Sequence, residues 1–229
     1  MSHSPIGASS IERILKCPQS LKRHISTGAE KETTSYATEG NKLHKQAEEA
    51  IKKGKTKKIP SIIEPYVRDV IWWIQRCDYF FIEKTLKHPK YNIIFSTPDF
   101  YAYRRDRKWL IVIDYKSGKG IEVVPENNLQ LKMYAYLASL NIEEPIDTIY
   151  AGICQPAFND NTEYVKWTLK DLENFEKRII KLLTKIKNNE TLEIRAGKHC
   201  QFCPVKKDCE EYAKKQNKKT LELLNILED

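Results

Sequence analysis

Residues Ile93–Lys116, with the sequence IIFSTPDFYAYRRDRKWLIVIDYK, decide the fold class that this chain indicates. Two runs rich in aromatic and β-branched residues, Ile93–Tyr103 and Trp109–Tyr115, flank the polar segment Arg104–Lys108. Such residues favour strands, and a short polar segment between two such runs is typical of a hairpin turn. The stretch therefore predicts two antiparallel strands joined at Arg104–Lys108.

This hairpin would bring three charged side chains together at one edge of a sheet. Pro98-Asp99 ends one predicted strand, and Asp114-Tyr115-Lys116 ends the next, so a hairpin would place Asp99 close to Asp114. Because side chains alternate along a strand, Asp114 and Lys116 share a face. Two carboxylates and an ammonium group are therefore expected to converge.

That combination suits phosphodiester hydrolysis. A divalent cation neutralises phosphate charge and lowers the pKa of an attacking water, and hard cations such as Mg²⁺ or Mn²⁺ prefer carboxylate oxygens. Asp99 and Asp114 would supply those oxygens. Lys116 could orient the water, act on its proton or stabilise the phosphate in the transition state.

The remaining pattern predicts an α/β fold with a mixed sheet flanked by helices. The apolar periodicities show no internal repeat and no clear boundary, so residues 1–229 are predicted to form a single domain. The other predicted elements are helices at Ser9–His24, Thr38–Gly54, from Ser61, at Pro125–Leu140 and at Lys170–Lys187, and strands at Tyr79–Lys87, Thr148–Cys154 and Glu163–Thr168.

Composition indicates a polyanionic partner and a cytoplasmic location. Lys and Arg number 39 against 31 Asp and Glu, which gives a net charge of +8. A surplus of that size favours nucleic acid, although lysine-rich segments and the basic hairpin tip Arg104–Lys108 could equally be solvated surface. No apolar run has the roughly 20 residues needed to span a bilayer, and no secretion signal is evident, so no membrane partner is expected.

The motifs resemble the PD-(D/E)XK nuclease superfamily. Pro98-Asp99 and Asp114-Tyr115-Lys116 match its core, fifteen residues apart. Gly40-Asn41-Lys42-Leu43-His44 looks like the helix motif of the RecB-like branch, and Gln130-Leu131-Lys132-Met133-Tyr134 looks like the Q-x-x-x-Y motif that follows the active-site strand. Each pair of residues four apart would share one helix face.

The resemblance implies a restriction-endonuclease-like fold and a Mg²⁺- or Mn²⁺-dependent deoxyribonuclease. His44 would join Asp99 and Asp114 as metal ligands, and Gln130 and Tyr134 would contact the scissile region or the DNA backbone. Relatives are often exonucleases that prefer single strands or DNA ends, and lone domains of this type resemble phage- or prophage-encoded recombination and repair nucleases.

Two further sequence features bear on this interpretation. Ser117-Gly118-Lys119-Gly120 lacks the spacing of a phosphate-binding loop, so the activity is expected to be independent of ATP. Glu83 could be an additional acidic member of the site, but a salt-bridged strand residue is the favoured interpretation.

The cysteines predict a second metal centre. Cys200, Cys203 and Cys209 follow a C-x2-C-x5-C pattern, and Cys17 is the best candidate for a fourth ligand. One cysteine near the N-terminus and three near the C-terminus resemble the iron–sulfur staple of AddB-type nuclease domains and of the CRISPR-associated RecB-like exonucleases. A 4Fe-4S cluster would then join residues 1–30 to residues 192–229, and structural Zn²⁺ is the alternative.

Other functions remain open at this stage. The chain could be a catalytically silent DNA-binding recombination accessory protein, a nuclease acting in CRISPR adaptation, or a nuclease directed at RNA. Cys77 and Cys154 are predicted to be buried apolar residues rather than ligands. No residue indicates the oligomeric state.

Overall fold

A computed structural model describes residues 4–29 and 35–226, and the side chains of residues 38–218 within the second range. The chain forms two compact units. The first comprises Met1–Ala8 and Thr33–Lys177, and the second comprises Ser9–Glu32 and Arg178–Asp229. The elements in chain order are α1 (Ala8–Lys16), α2 (Gln19–Thr27), α3 (Ser35–Lys52), α4 (Glu64–Ile74), β1 (Tyr79–Ile82), β2 (Leu86–Lys87), β3 (Phe95–Ser96), β4 (Phe100–Arg104), β5 (Trp109–Tyr115), α5 (Leu129–Ser139), β6 (Thr148–Cys154), β7 (Glu163–Trp167), α6 (Leu169–Lys187) and α7 (Glu210–Ile226).

A mixed five-stranded sheet forms the centre of the first unit. Its strand order is β1-β4-β5-β6-β7, and all neighbours are antiparallel except β5 and β6, which are parallel. The parallel pair is connected through α5, the usual crossover between parallel strands. The predicted hairpin is confirmed, with Phe100 opposite Ile113 and Arg104 opposite Trp109. The run Ile93–Tyr103 is divided between β3 and β4, however, so Asp99 precedes a strand instead of ending one. The mixed sheet flanked by helices is confirmed as well.

Helices α3 and α4 cover one face of the sheet. Val67 and Val70 of α4 are fully buried and pack in the same core as Ile111, Ile113 and Tyr115 of β5. These three β5 residues alternate with Leu110, Val112 and Asp114, as the two-residue period of a strand requires. Asp114 therefore points to the opposite face of the sheet.

Helix α5 lies against β5 and β6 and is buried almost all round. Its residues from Met133 to Ala138 are at most 8% exposed, so amphipathic periodicity is weak and burial itself stabilises the helix. The Asn128 side chain caps its first turn by accepting a hydrogen bond from the Leu131 amide at 2.9 Å. This cap fixes the start of the helix that carries Gln130 and Tyr134.

The N-terminal helix differs from the prediction. One helix over Ser9–His24 was expected to carry Cys17, but α1 ends at Lys16 and α2 begins at Gln19, so Cys17 lies between two helices. The cause is Pro18, which disfavours helical geometry in the residue before it and has no amide hydrogen to donate.

The predicted single domain with a terminal cluster region at 1–30 and 192–229 stays a prediction, and residues 1–3, 30 and 227–229 of it lie outside the described part. Across the described ranges, no helix combines the length and apolar composition that crossing a bilayer demands.

Candidate functional site

Asp99 and Asp114 lie side by side at one end of the sheet. Asp99 directly precedes β4, and the pairing of Phe100 with Ile113 sets it beside Asp114 on the neighbouring strand. The Asp99 Oδ2 atom accepts a hydrogen bond from the Tyr115 amide at 2.6 Å. Asp99 is 7% exposed and Asp114 is 2% exposed. Burial of two neighbouring carboxylates favours a cationic partner, because repulsion between them is poorly screened there.

His44 and Glu83 complete a group of metal-binding atoms around Asp99. His44, on α3, places Nδ1 3.0 Å from Asp99 Oδ1 and 3.8 Å from Glu83 Oε1. The three ligand atoms all lie within 4.8 Å of one another, close enough to hold one ion. The predicted set was His44, Asp99 and Asp114, whereas the group drawn together here contains Glu83. Asp114 is not part of that group. It lies beside Asp99 on the neighbouring strand and contacts Lys116.

The protonation of His44 reflects this acidic setting. Burial alone would lower the pKa of His44, but hydrogen bonds to Asp99 and Glu83 and the charges of Asp99 and Asp114 raise it to about 10. The imidazolium therefore balances the carboxylates while no other cation is bound. A metal ion at these ligands would take over that role, since imidazole binds metals in its neutral form.

Glu83 has a backbone conformation that glutamate rarely adopts. Its φ angle is +50°, in the left-handed region, immediately after β1 ends at Ile82. The Glu83 amide donates to the Asp99 carbonyl at 3.1 Å, which holds the turn in place. A left-handed residue other than glycine costs roughly 1–2 kcal/mol. Strain of this kind is found at functional sites, and here it directs the carboxylate toward His44.

Replacing Glu83 separates strain from ligand function. Glu83→Gly is expected to be about 1 kcal/mol more stable than Glu83→Ala, because only glycine accepts the left-handed backbone at little cost. Both variants should lose the same ligand and weaken Mn²⁺ binding equally. Urea unfolding and Mn²⁺ titration measure the two effects. Equal stability of the two variants would contradict the assigned backbone strain.

Lys116 extends the site along a chain of polar contacts. Its Nζ atom lies 2.8 Å from Asp114 Oδ2 and donates to Gln130 Oε1 at 3.2 Å. The Gln130 amide nitrogen in turn donates to the Tyr134 hydroxyl at 3.2 Å. The Lys116 amide donates to the Cys154 carbonyl at 2.8 Å, which continues the pairing of β5 with β6. Gln130 and Tyr134 thus hold the ammonium group from α5.

The charges of this pair follow from burial and from each other. Burial and the neighbouring Asp99 raise the pKa of Asp114, although Lys116 opposes the shift. Burial would lower the pKa of Lys116, but the charge and hydrogen bond of Asp114 raise it overall. Lys116 is therefore an ammonium group at neutral pH. It can stabilise developing negative charge or donate a proton, and it is poorly suited to accept one.

A loop next to the site is held by Gln155, which the sequence did not single out. Gln155 follows β6, is 5% exposed, and donates to the carbonyls of Gly118 and Ile121 at 2.8 and 2.9 Å. Its carbonyl oxygen accepts from the Val123 amide at 2.8 Å. One side chain therefore fixes the loop between Lys116 and α5. No motif marked it, because its partners are backbone atoms 32–37 residues away.

Gln155→Ala is expected to loosen this loop selectively. Three backbone groups would lose their partner, at about 1 kcal/mol for each hydrogen bond. Amide hydrogen exchange should accelerate in residues 118–123 and remain unchanged in β1. Uniform acceleration across the first unit would show that Gln155 supports the whole fold instead.

The basic hairpin tip does not lie at the site. Strand β4 separates Asp99, at its start, from Arg105, which follows its end. The tip residues also have acidic partners nearby. The ion pairs join Arg104 to Asp106, Arg105 to Asp78 and Glu144, Arg107 to Asp106, and Lys108 to Asp147. These contacts favour the interpretation of the tip as solvated surface.

A separate cavity in the second unit brings four cysteines together. Cys17, Cys200, Cys203 and Cys209 line the same cavity, and all are free thiols. Backbone amides donate to two of the sulfurs, from Arg195 to Cys17 Sγ at 3.5 Å and from Gly197 to Cys200 Sγ at 3.3 Å. Burial raises the pKa of the Cys200 thiol, although the hydrogen bond from the Gly197 amide opposes that shift.

The charges around that cavity are all positive. Of the described residues that line it, none carries a carboxylate, whereas five are basic: Arg13, Arg23, Arg195, His199 and Lys206. Arg13 is 5% exposed, and within the described chain its Nε and Nη2 atoms have no hydrogen-bond partner. The predicted four-cysteine cluster stays a prediction.

The other two cysteines lie in the first unit. Cys154 is fully buried in the core beneath α3 and α4, and Cys77 packs against that core. Burial raises the pKa of the Cys77 thiol to about 11 and that of Cys154 to about 12. Both therefore stay neutral. Cys154 is buried as predicted, whereas Cys77 is only partly buried.

The fold and the site together define an α/β protein whose mixed sheet carries, at one end, a group of side chains that could hold a metal ion. The chain belongs to the DUF2800 family, described as proteins of unknown function, whose model matches residues 78–226. A crystal structure described as that of SSO0001 is 15% identical over 93% of this chain and 89% of that one, with a TM-score of 0.48. That degree of similarity transfers neither fold nor activity.

Proposed function

We propose that this protein is a divalent-metal-dependent nuclease that hydrolyses phosphodiester bonds in DNA. One observation carries the proposal, namely the convergence of Asp99, Asp114 and Lys116 with His44 and Glu83 at one end of the sheet. The net charge of +8 supports a polyanionic substrate. The motif resemblance supports a restriction-endonuclease-like member of the RecB-like branch of the PD-(D/E)XK superfamily.

The donor set fits a cation such as Mn²⁺ or Mg²⁺. His44, Glu83 and Asp99 offer one nitrogen and two carboxylates within reach of a common point, with Asp114 beside them. Mixed imidazole and carboxylate ligation suits Mn²⁺ in particular, whereas Mg²⁺ takes mainly oxygen ligands. When bound, the cation would neutralise phosphate charge and lower the pKa of the attacking water.

The chain's own residues would orient and stabilise the reacting phosphate. The Lys116 ammonium group is held between Asp114 and Gln130, so it has a fixed direction before substrate arrives. A preorganised cation aimed at developing charge lowers the barrier more than a mobile one, because little reorganisation is needed. Tyr134 fixes Gln130 and thereby acts as a positioning residue rather than touching the phosphate.

The finer features of the proposal come from the motifs. We expect an ATP-independent exonuclease that prefers single strands or DNA ends, in a phage-type recombination or repair setting. The competing functions are a silent DNA-binding accessory protein and a nuclease of CRISPR adaptation. Because all of the charged residues expected at the active site are present, an active nuclease is favoured over a catalytically silent accessory protein.

The four-cysteine cavity supports a thiolate-bound metal centre in the second unit. Two amide donors to sulfur, and the absence of carboxylates among the described residues that line the cavity, fit an anionic centre there. Around a single zinc ion with bonds of about 2.3 Å, the sulfurs would lie about 3.8 Å apart. Among the described residues, no three of the sulfurs lie within 4.8 Å of one another. The preference for a 4Fe-4S cluster over zinc comes from the motif resemblance.

The test is cleavage of DNA labelled at either end, by protein purified without air. Single-stranded DNA, duplex DNA and RNA of the same sequence are offered in Mn²⁺, in Mg²⁺ and in excess chelator. Metal-dependent release of label from single-stranded DNA supports the proposal, and the label released first gives the polarity. Tight, salt-dependent DNA binding without cleavage in either metal would overturn it in favour of the silent accessory protein.

A further inference from the structure

We propose that Arg13 is the buried counter-ion of the metal–thiolate centre and that it controls how readily this centre accepts an electron. The inference rests on the proposed thiolate centre in the second unit and is independent of the nuclease activity. It assigns to Arg13 the role of a positioning and charge-compensating residue.

The position of Arg13 is unusual for an arginine. It lies one helical turn before Cys17, and the Cys17 amide donates to the Arg13 carbonyl at 2.8 Å. Its Nη1 atom donates to the Ser20 hydroxyl at 2.7 Å, and Ser20 in turn donates to the Cys17 carbonyl at 2.6 Å. The guanidinium is therefore clamped beside the first cysteine of the cavity. Its other two nitrogens, Nε and Nη2, remain free to donate within the described chain.

Burial of that charge demands a compensating anion. Arginine is almost never fully buried without one, because removing its charge from water is costly. Burial lowers the pKa of Arg13, whereas negative charge on Cys203, Cys17 and Cys200 and a side-chain hydrogen bond to Cys203 act in the opposite direction. Four neutral thiols would leave the cation without a counter-charge. A centre with four thiolates has a net negative charge and would supply it.

The other basic residues around the cavity are placed differently. The Arg195 side chain is 66% exposed and pairs with Glu193, and Lys206 donates from its exposed end to the Gln201 carbonyl. Solvent screens these charges, so they would influence the centre weakly. Among the described arginines and lysines that line the cavity, only Arg13 is buried, and its side chain is hydrogen-bonded to Cys203. Its effect on the charge of the centre should therefore be the largest.

An added electron increases the negative charge of the centre, so a buried cation makes reduction easier. Hydrogen bonds to the sulfurs and nearby charge are the usual determinants of such potentials. Arg13→Met keeps the length and apolar stem of the side chain but removes its charge and donors. Arg13→Lys keeps the charge and loses the planar fork.

The experiment compares reduction potentials in the full chain. Wild type, Arg13→Met, Arg13→Lys and Arg195→Met are purified without air, analysed for iron, sulfide and zinc, and titrated with dithionite while visible absorption is recorded. Arg13→Met should make reduction at least tenfold less favourable, a shift of about 59 mV to lower potential for one electron. Arg13→Lys should recover most of that shift, and Arg195→Met should retain the wild-type value.

The outcomes separate the role of Arg13 from the presence of the metal–thiolate centre. A wild type without bound metal overturns both. A metal-loaded wild type whose potential is unchanged in Arg13→Met overturns only the role of Arg13. If Arg13→Met does not fold, Arg13→Lys decides: a loaded centre near the wild-type potential supports charge compensation, and loss of the metal in both variants assigns Arg13 a purely structural role. If the wild type holds zinc, the inferred control of electron uptake is overturned, because Zn²⁺ has no redox chemistry.

Discussion

Replacing Lys116 with methionine is expected to lower the rate of DNA cleavage by about 10²- to 10³-fold, as removal of one preorganised donor does elsewhere. The ammonium group lies 2.8 Å from Asp114 and is fixed by Gln130, so no other described side chain replaces it. Methionine fills the same space without charge. Lys116 would contact the DNA at only one point, so its replacement should change DNA binding little. Cleavage of end-labelled DNA and fluorescence anisotropy measure the two quantities.

Lys119→Met is the matched control. Lys119 lies three residues further along the chain, in the same loop, and its side chain is exposed. It carries the same charge, so the two variants lower the net charge equally. Equal loss of cleavage in both would show a general electrostatic effect and contradict a catalytic role for Lys116. Thermal melting curves check that the Lys116→Met variant is folded, because Asp114 loses its ion pair with Lys116 in that variant.

The central strands could be predicted closely because their burial is continuous. Trp109–Tyr115 and Thr148–Cys154 match β5 and β6 at both ends. Unbroken runs of buried apolar residues are typical of strands covered on both faces. Gly54, predicted to end the second helix, has the expected left-handed φ of +61°. The start of that helix was less predictable, since α3 begins at Ser35 rather than Thr38.

The sequence pattern gives little indication of the roles of Glu83 and Gln155, because those roles depend on backbone geometry. Tyr79–Lys87 suggested one strand, but the chain turns after Ile82, and the left-handed Glu83 brings its carboxylate to His44. Alternation along a regular strand gives no sign of such a turn. No sequence motif marks Gln155 for a related reason: its three hydrogen-bond partners are backbone atoms of a distant loop. Motif spacing finds residues on regular elements and overlooks those that act through turns.

The second large effect is expected on removal of a cavity cysteine. Cys17→Ala should abolish stoichiometric iron, or zinc if that is the bound metal, and should broaden and lower the thermal transition of the second unit. Binding of a structural metal can contribute on the order of 10 kcal/mol to folding, which exceeds what a small unit gains from its own core. Cys17 also accepts the Arg195 amide at 3.5 Å and lies between α1 and α2, so its loss frees two segments at once.

Cys77→Ala provides the comparison within the same chain. Cys77 is also partly buried, but it packs against the core of the first unit and lines no part of the cysteine cavity. Metal content in this variant should equal that of the wild type, with at most a small loss of stability from packing. Retention of the full metal content in Cys17→Ala would show that the fourth ligand lies elsewhere. If Cys17→Ala loses the metal while Cys77→Ala retains it, Cys17 shares a metal centre with the three cysteines near the C-terminus. Their distance in the sequence does not matter, because the same metal centre would bind all four thiolates.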